Sequence, residues 1–187
     1  MVFDSAGNLY VANNGNSTIE KFSPTGEDLG VFAHTGGGPH FLALGKFTPS
    51  HVHFEAEALI VQASSAPYKR LRDPNASGGA YAVLKATVPG DFVTYTVPIA
   101  AAGTYDVKVG IQTRNDRGIF QLAIAGINQG TPQDEYSPTI GYEVRDLGTV
   151  TFTSGGNEAF QFVVTGHNSS SRGYTLAFDY IDLDLVP

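Results

Sequence analysis

Short apolar runs with turn residues between them leave the 51–187 stretch of this chain few architectures other than β-sheet. Side chains on a strand alternate with a period of two residues, and no segment here keeps a helical period. We predict strands at 52–59, 81–86, 91–98, 103–112, 120–124, 147–152, 159–165 and 175–185, with longer loops at 64–79 and 128–143. About eight strands in one domain is typical of a two-sheet sandwich, so the predicted fold class is an all-β β-sandwich jelly roll.

The first 50 residues have a different pattern, with short strands expected at 9–12, 18–22 and 29–33. Asp4, Gly7, Asn8 and Asn13 stand in a D-x-x-G-N-L-Y-V-A-N sequence that resembles the repeat of NHL-type β-propellers. The resemblance covers residues 1–45 and implies a single propeller blade, followed by a linker to residue 50; residues 38–44 look like the opening of a second repeat. One blade has two open edges, so these strands are either a truncated remnant or a site of self-association.

Charge and composition exclude several classes of function. The formal net charge is −7 and no basic stripe is present, which argues against nucleic acid as a partner. The chain has no Cys, which excludes disulfides, thiolate metal sites and a thiol nucleophile. No apolar run approaches the length of a membrane span, and we see no signal peptide at the start of the chain.

Carboxylates cluster at the two ends of the predicted sandwich. Glu55 and Glu57 lie two residues apart on the first predicted strand, so they are expected to share a face, about 7 Å apart. If the last strand pairs with the first, Asp179 adds a third carboxylate, and three such oxygens suit Ca²⁺. The alternative is that both glutamates are solvated on an edge strand. His51 and His53 share the same face, but two imidazoles without a third ligand in the sequence are more typical of surface residues.

Four motifs in order carry a second resemblance. They are FEAEA at 54–58, PGDFVTY at 89–95, GTYDVKV at 103–109 and DYIDL at 179–183. Together they resemble carbohydrate-binding modules of families 6 and 35 over nearly all of 51–187. The resemblance implies a jelly roll with a structural Ca²⁺ held by the first and last strands, and Glu55, Glu57 and Asp179 match the ligand positions. It also implies an extracellular or cell-surface location, as part of an exported multidomain protein.

The sugar site is expected among rings and planar polar groups of the loops, since aromatic faces and fixed hydrogen-bonding groups hold sugars. The usual Asn two residues before the last-strand Asp is replaced here by Ala177, and the chain has no Trp. Asn168 could supply the amide, and Arg114 or Arg117 could pair with an acidic sugar. The predicted ligand-binding residues are Tyr81, Arg114, Asn115, Asp116, Arg117, Tyr136, Tyr142 and Asn168.

Catalytic motifs are missing from the sequence. No nucleophile elbow, zincin helix or phosphate loop is present, and two glutamates on one strand suit an ion better than a glycosidase pair. We therefore expect a non-catalytic module that binds an oligo- or polysaccharide and is not an enzyme. The alternative is a structural or adhesive extracellular protein that assembles by β-strand addition without binding sugar.

Overall fold

The computed structural model describes residues 1–4, 6–42 and 50–186, and the chain divides into two compact units, Met1–Phe47 and Thr48–Pro187. The strands are β1 Val2–Phe3, β2 Leu9–Asn13, β3 Thr18–Phe22, β4 Asp28–His34, β5 His51–Glu55, β6 Ile60–Ser64, β7 Tyr68–Arg72, β8 Ala80–Leu84, β9 Phe92–Ile99, β10 Gly103–Thr113, β11 Gly118–Ile124, β12 Ile127–Asp134, β13 Gly141–Phe152, β14 Gly156–His167 and β15 Leu176–Leu185. A single 3₁₀ turn, Ser77–Gly79, interrupts them within these described ranges.

The smaller unit is one antiparallel sheet in the order β1-β2-β3-β4. Its first turn is held by the Asp4 side chain, whose Oδ1 accepts hydrogen bonds from the backbone N–H groups of Ala6 and Asn8, both at 2.9 Å. Gly7 takes a φ of 83° there, a conformation that glycine adopts without strain. Strands are present where the sequence predicted them, while residues 43–49, which include the end of the expected second repeat and part of the expected linker, lie outside the described residues.

The larger unit is a sandwich of two antiparallel sheets. One runs β13-β10-β15-β8-β7, with β5 also paired to β15, and the other runs β12-β11-β14-β9-β6. The pairing of β5 with β15 places Phe54 opposite Ile181, so the first and last strands of the unit are neighbours, which is the condition that the calcium hypothesis set. The all-β jelly-roll prediction is therefore confirmed.

Aromatic side chains join the two sheets at the centre of the core. Phe178 of β15 contacts Phe162 of β14 with ring centroids 4.3 Å apart, and Phe120 of β11 lies 5.4 Å from both of them. Tyr95 of β9 completes the cluster, and all four residues have no exposed surface. Interdigitation of this kind between inner faces holds a sandwich together.

Several strand boundaries differ from the sequence prediction. The strand expected over 52–59 ends at Glu55, and the loop expected at 64–79 contains β7. The loop expected at 128–143 contains most of β12 and the start of β13. The strands β6, β7, β12 and β13 lie at sheet edges, where few side chains are buried and the alternating apolar pattern is weak.

None of the helical segments in the described part of the chain has the length and hydropathy needed to cross a bilayer.

Candidate functional site

The junction of the first and last strands brings the predicted carboxylates together. Glu55 ends β5 opposite Tyr180 of β15, and the backbone N–H of Ala56 donates to the Asp179 carbonyl at 2.9 Å. Across β15, Gly110 pairs with Tyr180 and the next residue of β10 pairs with residue 178, so Asp179 is the extra residue of a β-bulge. A bulge turns a side chain away from the regular pleat, and such irregularities are common beside functional sites.

Glu57 does not lie on the strand, which corrects the predicted spacing along it. The chain turns after Glu55, and the Ala58 N–H donates to the Glu55 carbonyl at 3.0 Å. The two glutamates are therefore related by a turn, and they are not alternate residues on one face of a strand. They remain electrostatically coupled, since burial together with the Glu55 charge raises the pKa of the Glu57 carboxyl.

A loop that the sequence did not connect with the site closes over these carboxylates. The Ser77 N–H donates to Asp179 Oδ1 at 3.0 Å, and Ser77 Oγ donates to Glu55 Oε1 at 2.8 Å. Next to it, Gly78 has a φ of 59°, and a Cβ there would lie 2.9 Å from Glu55 Oε1. The loop can pack this tightly because residue 78 has no side chain. No signal in the sequence linked Ser77 to Asp179, which is 102 residues away.

The chemistry of this junction fits a bound Ca²⁺. Glu55 Oε2 and Glu57 Oε2 are buried, and no described residue donates a hydrogen bond to either. Asp179 is 3% exposed, and burial, with the charges of Glu55 and Glu57, raises its pKa to about 6. Buried carboxylate oxygens without donors are costly unless a cation neutralises them. Calcium accepts six to eight oxygen ligands, and these three side chains would supply part of that shell.

A second group lies beside the first on β5 and β15. His51, His53 and Asp182 have ligand atoms that all lie within 4.8 Å of one another, and they are the one such group found among the described residues. The three predicted calcium ligands do not form a group of this kind among the described residues. Although burial opposes it, hydrogen bonds to Asp182 and Glu55 raise the pKa of His53.

Part of the predicted sugar-binding set gathers in the loops at one end of the sandwich. The backbones of Arg114 and Tyr136 form an isolated parallel β-bridge. Asp134 accepts hydrogen bonds from the Tyr136 N–H and from the Asn168 side chain, both at 2.8 Å. A neighbouring depression of about 390 Å³ is lined by Ala86, Thr87, Asp116, Arg172, Gly173, Tyr174 and Thr175. The backbone N–H of Arg172 donates to the Asn115 carbonyl at 2.9 Å, which ties the predicted turn to this depression.

Arg117 does not belong to this surface, and its prediction as a sugar contact is corrected. Its side chain is 2% exposed. Its guanidinium donates to the Gln112 carbonyl at 3.1 Å, to the Gln112 side chain, and to Asp116 at 2.9 Å. These contacts use the guanidinium within the protein, so it is not available to a sugar at the surface.

Tyr81 and Tyr142 form a separate pair on the outer face of the β10–β15 sheet. Their ring centroids lie 6.3 Å apart at 83°, and Tyr81 is 7% exposed. The Tyr142 hydroxyl donates to Asp73 at 2.7 Å, and Ala177 packs in the same cluster. Burial and the Asp73 contact raise the pKa of Tyr142. Tyr142 is half-buried, whereas Tyr81 is buried.

Glu135 lies buried beneath the loop surface. Its Oε2 accepts the Ala177 N–H at 2.8 Å, while its Oε1 has no donor among the described residues. Burial raises its pKa well above the usual range, although the Arg117 charge opposes this rise. The sequence reading missed this acid, because nothing in the edge strand β12 marks the following residue as buried.

The raised pKa of Glu135 predicts a pH-dependent stability. The native state holds the proton more tightly than the unfolded chain, so the free energy of unfolding should fall as pH rises above about 4.5, by at most about 1.4 kcal/mol per pH unit for one proton. Glu135→Gln should flatten this slope between pH 5 and 8 in urea titrations. Glu143→Gln, at an exposed position, is the control, and equal slopes in wild type and Glu135→Gln would contradict the expectation.

Comparison with known proteins yields structural matches alone. No protein-family model matches the chain, and no curated protein matches it either. A Paenibacillus xanthan lyase matches 100% of this chain at 29% identity with a TM-score of 0.72, and the chain spans 18% of that protein's length.

Isolated modules match the larger unit. A family 35 carbohydrate-binding module from an environmental isolate has a TM-score of 0.53 at 12% identity, covering 73% of this chain and 96% of the module. The CBM36-1 domain of a multidomain xylanase from the hindgut metagenome of Trinervitermes trinervoides gives 0.52 at 18% identity, covering 73% of this chain and 98% of the domain. At these identities the likeness establishes the fold, which is the jelly roll of carbohydrate-binding modules.

Proposed function

We propose that the 51–187 unit is a non-catalytic carbohydrate-binding module, stabilised by Ca²⁺ and carried by a longer extracellular protein that acts on a polysaccharide. The observation that carries this proposal is that the chain has two kinds of structural match. The chain matches a polysaccharide lyase over its whole length, and its larger unit alone matches isolated carbohydrate-binding modules. The 1–50 segment would then be a propeller-like blade of the same longer protein.

Calcium is assigned a structural role in this proposal. Glu55, Glu57 and Asp179 would hold the ion between the first strand, the turn after it and the last strand. It would neutralise the carboxylates and hold the Ser77 loop against them. An ion bound by the native state alone stabilises it by about 2.7 kcal/mol at a hundredfold excess over Kd.

The loop surface is the proposed sugar site. Arg114, Asn115, Asp116, Tyr136 and Asn168 are exposed or half-buried there and present one ring and several planar polar groups. Asn168, held by Asp134, would supply the amide that Ala177 lacks. Tyr142 on the sheet face is the other proposed sugar-contacting ring, and Tyr81 would pack against it and hold its orientation.

A glycan-binding experiment tests the proposal, with the whole chain screened against xanthan, mannan and xylan, first with calcium and then with chelator. We expect binding to one class with calcium and weaker binding in chelator. Tyr136→Ala should weaken binding about fivefold, because an aromatic contact contributes about 1 kcal/mol. Ile127→Ala, at a position 75% exposed, is the control that should bind as wild type.

Thermal unfolding separates the calcium part from the sugar part. The unfolding temperature of the wild type should fall in chelator, and that of Asp179→Asn should not change with calcium. Asp146→Asn, which replaces an exposed acid on β13, should respond to calcium as wild type does.

A folded chain that binds no glycan, with calcium or with chelator, would shift support to the assembly role. For that role the edge strand β4 offers Leu29, Val31 and Phe32, which are 50%, 48% and 60% exposed.

A further inference from the structure

A pair of histidines faces a pair of aspartates across two neighbouring strands. In the antiparallel register of β5 and β15, His53 lies opposite Asp182 and His51 lies opposite Asp184. The alternate residues of both strands, such as Phe54 and Ile181, pack into or against the core. The four polar side chains therefore share the outer face of the sheet, which brings together groups that are 129 to 133 residues apart in sequence.

One carboxylate oxygen stands between the two imidazoles. Asp182 Oδ1 lies 2.6 Å from His53 Nδ1 and 3.8 Å from His51 Nε2. In a tetrahedral zinc site with bonds of about 2.0–2.1 Å, neighbouring ligand atoms are about 3.3 Å apart. These two distances fall on either side of that value, and the two imidazole nitrogens lie within 4.8 Å of each other, so shifts of up to about 1.5 Å would admit the ion. Side-chain torsions allow shifts of this size without moving the strands.

The remaining nitrogen of each imidazole is held by another acidic group. His51 Nδ1 lies 2.6 Å from Asp184 Oδ1, and His53 Nε2 lies 3.3 Å from Glu55 Oε1. Metal-binding histidines commonly donate their second ring N–H to a carboxylate, which fixes the tautomer and makes the free nitrogen a better ligand. Lys108 Nζ contacts Asp184 Oδ2 at 2.9 Å, which leaves Asp184 as an orienting partner rather than a further ligand.

The donor set selects the kind of metal. Two imidazole nitrogens and one carboxylate oxygen suit Zn²⁺ and similar first-row ions, whereas Ca²⁺ is bound by oxygen ligands. The side chains of His51 and His53 are 54% and 35% exposed, so a fourth coordination position would face solvent. Three protein ligands with an open position can accept water or an outside ligand.

We propose that His51, His53 and Asp182 form a Zn²⁺ site on the outer face of the first and last strands, separate from the calcium ligands. The two sites meet at Glu55, whose Oε1 faces His53 and Ser77 while its buried Oε2 lacks a donor among the described side chains. Zinc binding goes beyond the carbohydrate function and does not depend on it.

The proposal is tested by calorimetric titration of the untagged whole chain with Zn²⁺. Excess Ca²⁺ is present throughout, so that any calcium site is saturated. We expect one bound ion per chain. His51→Ala should weaken the affinity at least tenfold, because even an outer partner of a metal ligand is worth about 10–100-fold. Asp182→Asn should weaken it as well. His167→Ala, which removes an exposed histidine far along the chain, is the matched control and should bind as wild type.

Near-ultraviolet circular dichroism of each variant shows whether it is folded, and His51→Ala keeps the test sound because His51 is largely exposed. Replacing zinc by Co²⁺ adds a second readout, since visible absorption of tetrahedral intensity should appear in wild type and be lost in His51→Ala. A folded wild-type chain that binds no zinc would overturn the proposal, as would equal affinities in wild type and His51→Ala. Glycan binding unchanged in His51→Ala would show that the two functions are separate.

Discussion

Replacing Arg117 by methionine should destabilise the larger unit by at least about 2 kcal/mol, since two buried acceptors of Gln112 would each lose a donor at a cost of about 1–3 kcal/mol. The Arg117 side chain is 2% exposed and donates to Gln112 and Asp116. Methionine fills similar space but supplies no donor. It also removes the charge that opposes the raised pKa of the buried Glu135.

Urea unfolding at pH 7 measures this loss, and Arg114→Met is its matched control. The Arg114 side chain is 47% exposed, so its replacement should change the free energy of unfolding by less than about 0.5 kcal/mol. A loss below about 1 kcal/mol for Arg117→Met would count against a buried structural role.

Phe178→Ala should lower the free energy of unfolding by about 3–5 kcal/mol through a different mechanism, the loss of core packing. Phe178 has no exposed surface and its ring contacts Phe162, Phe120 and Tyr95 at the centre of the sandwich. Removing it loses the transfer free energy of the ring and leaves a cavity between two sheets that cannot close fully. Because Phe178 precedes the bulged Asp179, the calcium response should weaken in the same variant.

Guanidinium unfolding with and without calcium checks both consequences. Val144→Ala on β13, at a position 51% exposed, should stay within about 0.5 kcal/mol of wild type. Phe178→Leu retains most of the buried apolar volume, so its free energy of unfolding should lie between those of Phe178→Ala and Val144→Ala. An alanine variant as stable as Val144→Ala would show that the inter-sheet contact contributes little.

The predicted all-β sandwich rests on local patterns, and the structure bears it out. Alternation is strong where a strand has one face buried, as in β10, whose alternate residues Tyr105, Val107, Val109 and Ile111 line the core. The pairing of the first and last strands was a condition of the calcium hypothesis and an implication of the family resemblance, and no local pattern predicted it. Edge strands were missed where that pattern fails. In β12 most side chains are exposed, and its hairpin with β11 turns on Ala125 and Gly126, both with positive φ, rather than on a more common Asn-Gly pair.

What the amino-acid order determined by itself was the strand period and the residue types available at each end of the sandwich. The tertiary structure decided which of those residues meet and which are buried. Ser77 reaches Asp179, and Asp182 reaches His51 and His53, because the register between β5 and β15 and the closing loop set these contacts. Arg117 and Asn115 look alike as turn residues in the sequence, yet packing buries one and leaves the other half-exposed. Contacts across a sheet depend on strands far apart in the chain, and a local pattern does not carry that information.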